Sequence, residues 1–126
     1  LPTMETVVAK RARNVALLNE RLSKYGSLSL PKADPRISYL AYPVVAETSE
    51  LRDALLFGLD KLGVETRPLM SLVPVEVAVA GRVSCPFGFA NARDLHRRGF
   101  YVSCHDSLSD ADVAYIAESF DGILRR

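Results

Sequence analysis

Apolar residues recur at steps of three and four near the start of the chain, at Val8, Ala12, Val15, Leu18, Leu22 and Tyr25. That spacing predicts a helix over residues 3–25 with one buried stripe, ended at Gly26. Lys10, Arg11, Arg13, Asn14 and Glu20 fall mainly off the stripe and are expected to face water. The basic run among them reads as a solvated helix face rather than a phosphate site. Residues 37–46, ISYLAYPVVA, are rich in aromatic and β-branched side chains and predict a strand. Pro43 has no amide hydrogen, so this strand is expected at an edge or interrupted there. A second helix is expected over residues 50–62, capped by Thr48 or Ser49. Its stripe is Leu51, Ala54, Leu55, Gly58, Leu59 and Leu62, and Gly63 closes it. Residues 64–69 then read as a short strand.

The pattern blurs over residues 70–90. Val75, Val77 and Val79 alternate with Glu76, Ala78 and Ala80, which fits a strand, but an irregular apolar loop fits as well. Asn91 is placed to cap a short helix ending at Arg98, with Asp94 closing a capping box and Gly99 stopping it. Residues 100–103 form another strand candidate. The last helix carries the clearest signal: Ser109 as cap, Asp112 three residues on, and Leu108 able to staple onto Val113. Val113, Ile116, Ala117, Phe120 and Leu124 are its inner face. Four helices alternating loosely with three or four short strands predict a small α/β (α+β) sandwich, with helices covering one face of a short sheet.

Composition adds bounds. The 126 residues fit one domain, and 48% hydrophobic content argues against wholesale disorder. Sixteen Lys and Arg against fifteen Asp and Glu leave a formal charge of +1, which gives no electrostatic case for nucleic acid. Two cysteines, Cys85 and Cys104, are too few for a disulfide scaffold and suit reduced thiols in the cytoplasm. No apolar run is long enough to span a membrane, and no long apolar stretch near the start suggests a signal peptide. The chain opens Leu1-Pro2-Thr3-Met4, as a piece of something longer would.

Candidate chemistry is sparse. His96 sits beside two arginines, and His105 follows Cys104 directly, so neither belongs to a spaced set of metal ligands. Adjacent residues on a strand point to opposite faces, so Cys104 and His105 are not a nucleophile pair, and Cys104 reads as core. The glycines are scattered and build no phosphate loop. Lys10, Lys24, Lys32 and Lys61 lack the apolar surround of a Schiff-base lysine. Two residues remain as ligand contacts. Arg67, in GVETRPLM, is placed as an anion clamp on a strand end, or else as the ion-pair partner of Glu65 or a neighbouring acid. His105, in SCHDSLSD, lies between a strand end and a helix start, where it either meets a ligand or plays a local capping or packing role. No self-sufficient catalytic constellation is present.

GVETRPLM, followed by NARDLHRRGFYVSCHDSLSDADVAYIAESF, resembles the C-terminal part of the DegT/DnrJ/EryC1/StrS family of pyridoxal-phosphate-dependent sugar aminotransferases. The likeness extends to an opening helix with regularly spaced leucines (residues 10–22) and a Ser-aromatic-Pro strand (residues 38–45). It continues in a helix bearing Arg52, Leu55, Leu59, Gly63, Thr66 and Arg67, the Cys104-His105 element, and the terminal helix from Leu108 to Phe120. It departs after Pro68, where Met70-Ser71-Leu72-Val73-Pro74-Val75 replaces a segment that usually carries Asn or His.

The resemblance implies the small C-terminal domain of a fold-type I pyridoxal-phosphate enzyme, with residues 1–126 as one domain. The N-terminal large domain that would supply the Schiff-base lysine and most phosphate contacts is missing. It further implies a cytoplasmic homodimer that moves an amino group from a donor such as glutamate to a keto-sugar nucleotide. A pyridoxamine-phosphate-dependent sugar 3-dehydratase is the nearest alternative. On this view the fragment binds no cofactor and is inactive alone, while Arg67 and His105 contact the nucleotide-sugar substrate. A small non-catalytic binding module of the same fold, or a piece that pairs with itself through an uncovered apolar face, are the other readings.

Overall fold

A computed structural model describes residues 2–69, 82 and 89–125. The expected strand at residues 75–79, and Cys85, lie outside the described residues. The first element is α1 (Met4–Leu22), capped by the Thr3 hydroxyl, which accepts the Thr6 amide. Then come β1 (Leu28–Ser29), β2 (Tyr42–Ala46), α2 (Ser49–Lys61) and β3 (Thr66–Pro68). The chain ends with α3 (Ala90–Arg98), β4 (Gly99–Val102) and α4 (Asp110–Leu124).

The four strands form one antiparallel sheet in the order β1-β2-β4-β3. Alternation along β2 buries Tyr42, Val44 and Ala46 and leaves Pro43 and Val45 half-buried. The inward residues, with Phe100 and Val102 of β4, meet Val15, Leu18 and Leu22 of α1, Leu55 and Leu59 of α2, and Val113, Ile116, Ala117 and Phe120 of α4. Phe100 and Phe120 stack with ring centroids 6.1 Å apart. Three helices thus cover one sheet face, the two-layer α+β sandwich that the periodicity predicts. α3 buries no residue of its own and runs straight into β4. Here a Cβ on Gly99 would lie 2.5 Å from the Leu95 carbonyl and 2.7 Å from Leu69 Cδ2, so the join needs glycine for space. No described helix is long and apolar enough to cross a membrane.

Several expectations need correction. The strand expected over residues 37–46 starts only at Tyr42. Before it, Tyr39 folds inward and its hydroxyl donates to the Lys32 carbonyl (2.6 Å) while accepting the Asp34 amide (2.8 Å), closing a loop that leaves Leu40 86% exposed. Pro43 is not on an edge strand, yet β1 pairs only with Val45 and Ala46, so that ladder stops short of the proline. α1 ends at Leu22 rather than Tyr25. Asn91 does not cap α3: Phe89 occupies the cap position without a side-chain bond, and Asp94 pairs with Arg98 instead. Asn14, expected in water, is 2% exposed, and Arg11 is largely shielded. The signals at α2 and α4 are realised locally: Thr48 accepts the Leu51 amide, Gly63 takes φ +71°, and Ser109 and Asp112 form a reciprocal capping box.

Candidate functional site

Arg67 sits in the middle of β3, opposite Tyr101 of β4, which in turn faces Pro43 of β2. These three share the sheet face turned away from the buried helix layer, because their neighbours Tyr42, Val102, Val44 and Phe100 point inward. The Arg67 side chain is 64% exposed and donates from Nη2 to Glu65 Oε1 at 2.5 Å. An exposed pair of this kind contributes little to stability. The ion pair with Glu65 is formed, and the guanidinium stays accessible to water.

His105 lies three residues beyond the end of β4, in a loop held by α1. Asn14 Nδ2 donates to the carbonyls of Cys104 (3.3 Å) and His105 (2.8 Å). Lys10 donates to the Asp106 carbonyl (3.1 Å), and Arg11 Nε to Asp106 Oδ1 (3.2 Å). Arg11 also reaches the Tyr39 carbonyl, tying the 32–39 loop to the same point. Desolvation pushes the Asp106 carboxyl up. Its own backbone amide, the Arg11 hydrogen bond and the charges of His105 and Arg11 outweigh that and hold it below the ordinary carboxylate range. Beneath the loop, burial pushes the Cys104 thiol up to about 11, with Arg11 opposing. Cys104 is fully buried and packs as part of the core.

Arg67 and His105 make no direct contact. His105 lies four positions beyond Tyr101, the partner of Arg67, a span of up to roughly 13 Å if extended. A shallow depression of about 220 Å³ is lined by neither, but it touches Glu65, which holds Arg67, and Ser103, whose hydroxyl accepts the His105 amide. Gly63, Val64, Leu108, Asp112, Tyr115 and Ile116 complete its wall. A larger groove of about 540 Å³ runs between α2 and α4, lined by Phe57, Leu62, Tyr115 and Ile123, and includes neither candidate residue.

The four lysines are all described, and none is buried. Lys10 bonds the Asp106 carbonyl, Lys24 bonds Asp121, Lys61 lies 4.1 Å from the Phe57 ring centroid, and Lys32 is exposed. A Schiff-base lysine requires a desolvated pocket, so the described residues do not fit a covalently held pyridoxal phosphate. What the sequence reading missed is the support of His105: Arg11, Asn14, Ser103, Asp106 and Ser107. The only local hint was the spacing of Arg11, Asn14 and Leu18, which places Asn14 on the border of the apolar stripe.

Solved structures share this fold. The aminotransferase TlmJ from Streptoalloteichus hindustanus superposes with a TM-score of 0.79 at 24% identity, over 94% of this chain and 32% of its own. PseC from Helicobacter pylori, an aminotransferase involved in the biosynthesis of pseudoaminic acid, gives 0.78 at 15% identity, over 94% and 33%. GDP-4-keto-6-deoxy-D-mannose-3-dehydratase from E. coli, with bound hydrated pyridoxal phosphate, gives 0.73 at 16% identity, over 90% and 30%. The chain thus spans about a third of the length of these structures. No curated protein sequence matches it significantly. Residues 1–121 match the sequence profile of the DegT/DnrJ/EryC1/StrS aminotransferase family, and with nearly the whole length covered, the chain belongs to that family.

Proposed function

We propose that this chain is the smaller, substrate-side domain of a pyridoxal-phosphate-dependent aminotransferase acting on keto-sugar nucleotides, with glutamate or a similar amino donor. The family is dependent on pyridoxal or pyridoxamine phosphate. One observation carries the reading: the family match runs over residues 1–121 in a chain that spans about a third of its solved relatives, and all four lysines are engaged at the surface or exposed. The Schiff-base lysine then belongs to a larger N-terminal domain of the same enzyme, which works in the cytoplasm as a homodimer. The cofactor, when bound there, supplies the electron sink for nitrogen transfer.

In this reading Arg67 exchanges Glu65 for a phosphate or carboxylate of the substrate, and His105 lines the same cleft. An accessible guanidinium whose present partner is itself exposed can make that exchange at little cost. The fold shared with the E. coli dehydratase favours sugar 3-dehydration as the second reading. Mass spectrometry of the sugar product separates the two, since only transamination leaves the donor's nitrogen on the sugar.

The site itself is tested by Arg67→Ala in the complete enzyme. Loss of a charged hydrogen bond is expected to raise the KM for the nucleotide sugar about 10- to 100-fold, with the thermal midpoint nearly unchanged because the Glu65 pair is exposed. An unchanged KM refutes the clamp.

A further inference from the structure

The ring of His105 is held by its own loop. The backbone amide of Ser107 donates to His105 Nδ1 at 3.1 Å, and the Ser107 hydroxyl lies 2.8 Å from the same nitrogen. The hydroxyl is able to give or take a proton, but the amide has only a proton to give. Nδ1 must therefore accept, and a neutral imidazole whose Nδ1 accepts carries its hydrogen on Nε2. The main chain beneath the ring is equally fixed, since Asn14 grips the carbonyls of Cys104 and His105 and Ser103 takes the His105 amide.

The opposite nitrogen is differently placed. Nε2 lies 3.5 Å from Asp106 Oδ1, and that oxygen already accepts from Arg11 Nε at 3.2 Å. The imidazole is 53% exposed. Lys10 and Arg11, the charged groups that α1 presents to this loop, are both directed at Asp106.

We infer that Ser107 acts as a positioning residue that fixes His105 in the Nε2–H tautomer, so that His105 offers a substrate a hydrogen-bond donor and not a base. Its acceptor is an oxygen: a sugar hydroxyl or carbonyl, or a phosphate oxygen. The substrate half of this inference rests on the proposed function, whereas the tautomer does not.

Two measurements test the halves separately. In the chain labelled with 15N-histidine, long-range proton–nitrogen correlation at pH about 8.5, well above the ordinary histidine pKa, reads the tautomer of each ring. His105→Gln identifies which of the two histidine patterns is His105. The expected pattern has Nδ1 unprotonated and Nε2 protonated, and it survives Ser107→Ala because the backbone donor remains. A reversed or evenly averaged pattern in the unaltered chain overturns the inference.

In the complete enzyme, Gln keeps a side-chain N–H near the Nε2 position. His105→Gln should hold the KM for the nucleotide sugar within about threefold, while His105→Ala raises it up to about tenfold. Both variants should keep the pH profile of kcat. An unchanged KM in His105→Ala refutes the substrate contact and leaves the tautomer standing. Loss of the acidic limb of the profile in both variants makes His105 a base and overturns the donor role.

Discussion

Asn14 joins the first helix to the loop of His105, and removing its amide gives a quantitative test of that join. The side chain is 2% exposed and donates to two carbonyls ninety or more residues away in sequence. Asn14→Leu keeps the approximate volume and loses both donors. The His105 carbonyl retains the Leu108 amide at 3.2 Å, whereas Cys104 loses the side-chain donor to its carbonyl. Two hydrogen bonds at about 1 kcal/mol each, with part of a desolvation penalty, predict a loss of about 2–3 kcal/mol. For a domain of this size that lowers Tm by roughly 8–12 °C. Asn14→Asp is expected to be worse despite matching shape, because it turns an acceptor toward two carbonyl oxygens and buries a charge. Urea unfolding followed by circular dichroism gives both values, with m unchanged if the loss lies in the folded state. Amide exchange over residues 103–108 should accelerate in the same variants. An Asn14→Asp protein within about 0.5 kcal/mol of the parent would refute the reasoning.

Two further outcomes follow from the helices. A Cβ on Gly58 would sit 2.6 Å from Ile123 Cδ1, while one on Gly122 meets nothing within 4 Å. Gly122→Ala should therefore stabilise by about 0.5–1 kcal/mol through helix propensity, and Gly58→Ala should give no net gain because overpacking offsets it. Equal stabilisation by both in thermal melts would contradict the close α2–α4 approach. At α4, Ser109→Ala should destabilise by about 1 kcal/mol. The Ser109 hydroxyl and amide hold the Asp112 carboxyl below its ordinary range. Its contribution is thus complete above the unfolded pKa of about 3.9 and is lost as pH falls through the lower folded value. Acid titration of stability below pH about 4 should be shallower in Asp112→Asn, and an identical slope would remove the carboxylate from the cap.

Where a structural choice was local, the residues announced it. Ser109 and Asp112 cap the helix that they begin, and Gly63 turns the chain at the end of α2. Thr66 to Pro68 and Gly99 to Val102 fall within a residue or two of their expected places. The misses share a cause, which is dependence on distant partners. β1 is two residues long and exists through pairing with Val45 and Ala46, too short a run to show a period. Tyr39 sits in a stretch of strand-forming residues but is claimed by the Lys32 carbonyl and Asp34 amide. Asn14 is polar by composition and buried because two carbonyls from the other end of the chain need its donor. The same holds for the site. Arg67 and His105 are visible as isolated residues in suggestive settings, but Arg11 reaches Asp106 across 95 positions, and only folding brings that support to His105.

The seamless passage from α3 to β4 has a mechanical consequence. Arg98 closes the helix, Gly99 opens the strand, and no turn residue between them can absorb a twist. Arg98 also donates to the Ala46 carbonyl at 2.7 Å, pinning the junction to β2. Helix and strand therefore share one anchor point in the middle of the sheet. From that junction β4 runs sideways through Tyr101 to Arg67 and forward past Val102 to the loop of His105. One short strand, begun at that junction, thus sets the starting point of both candidate side chains.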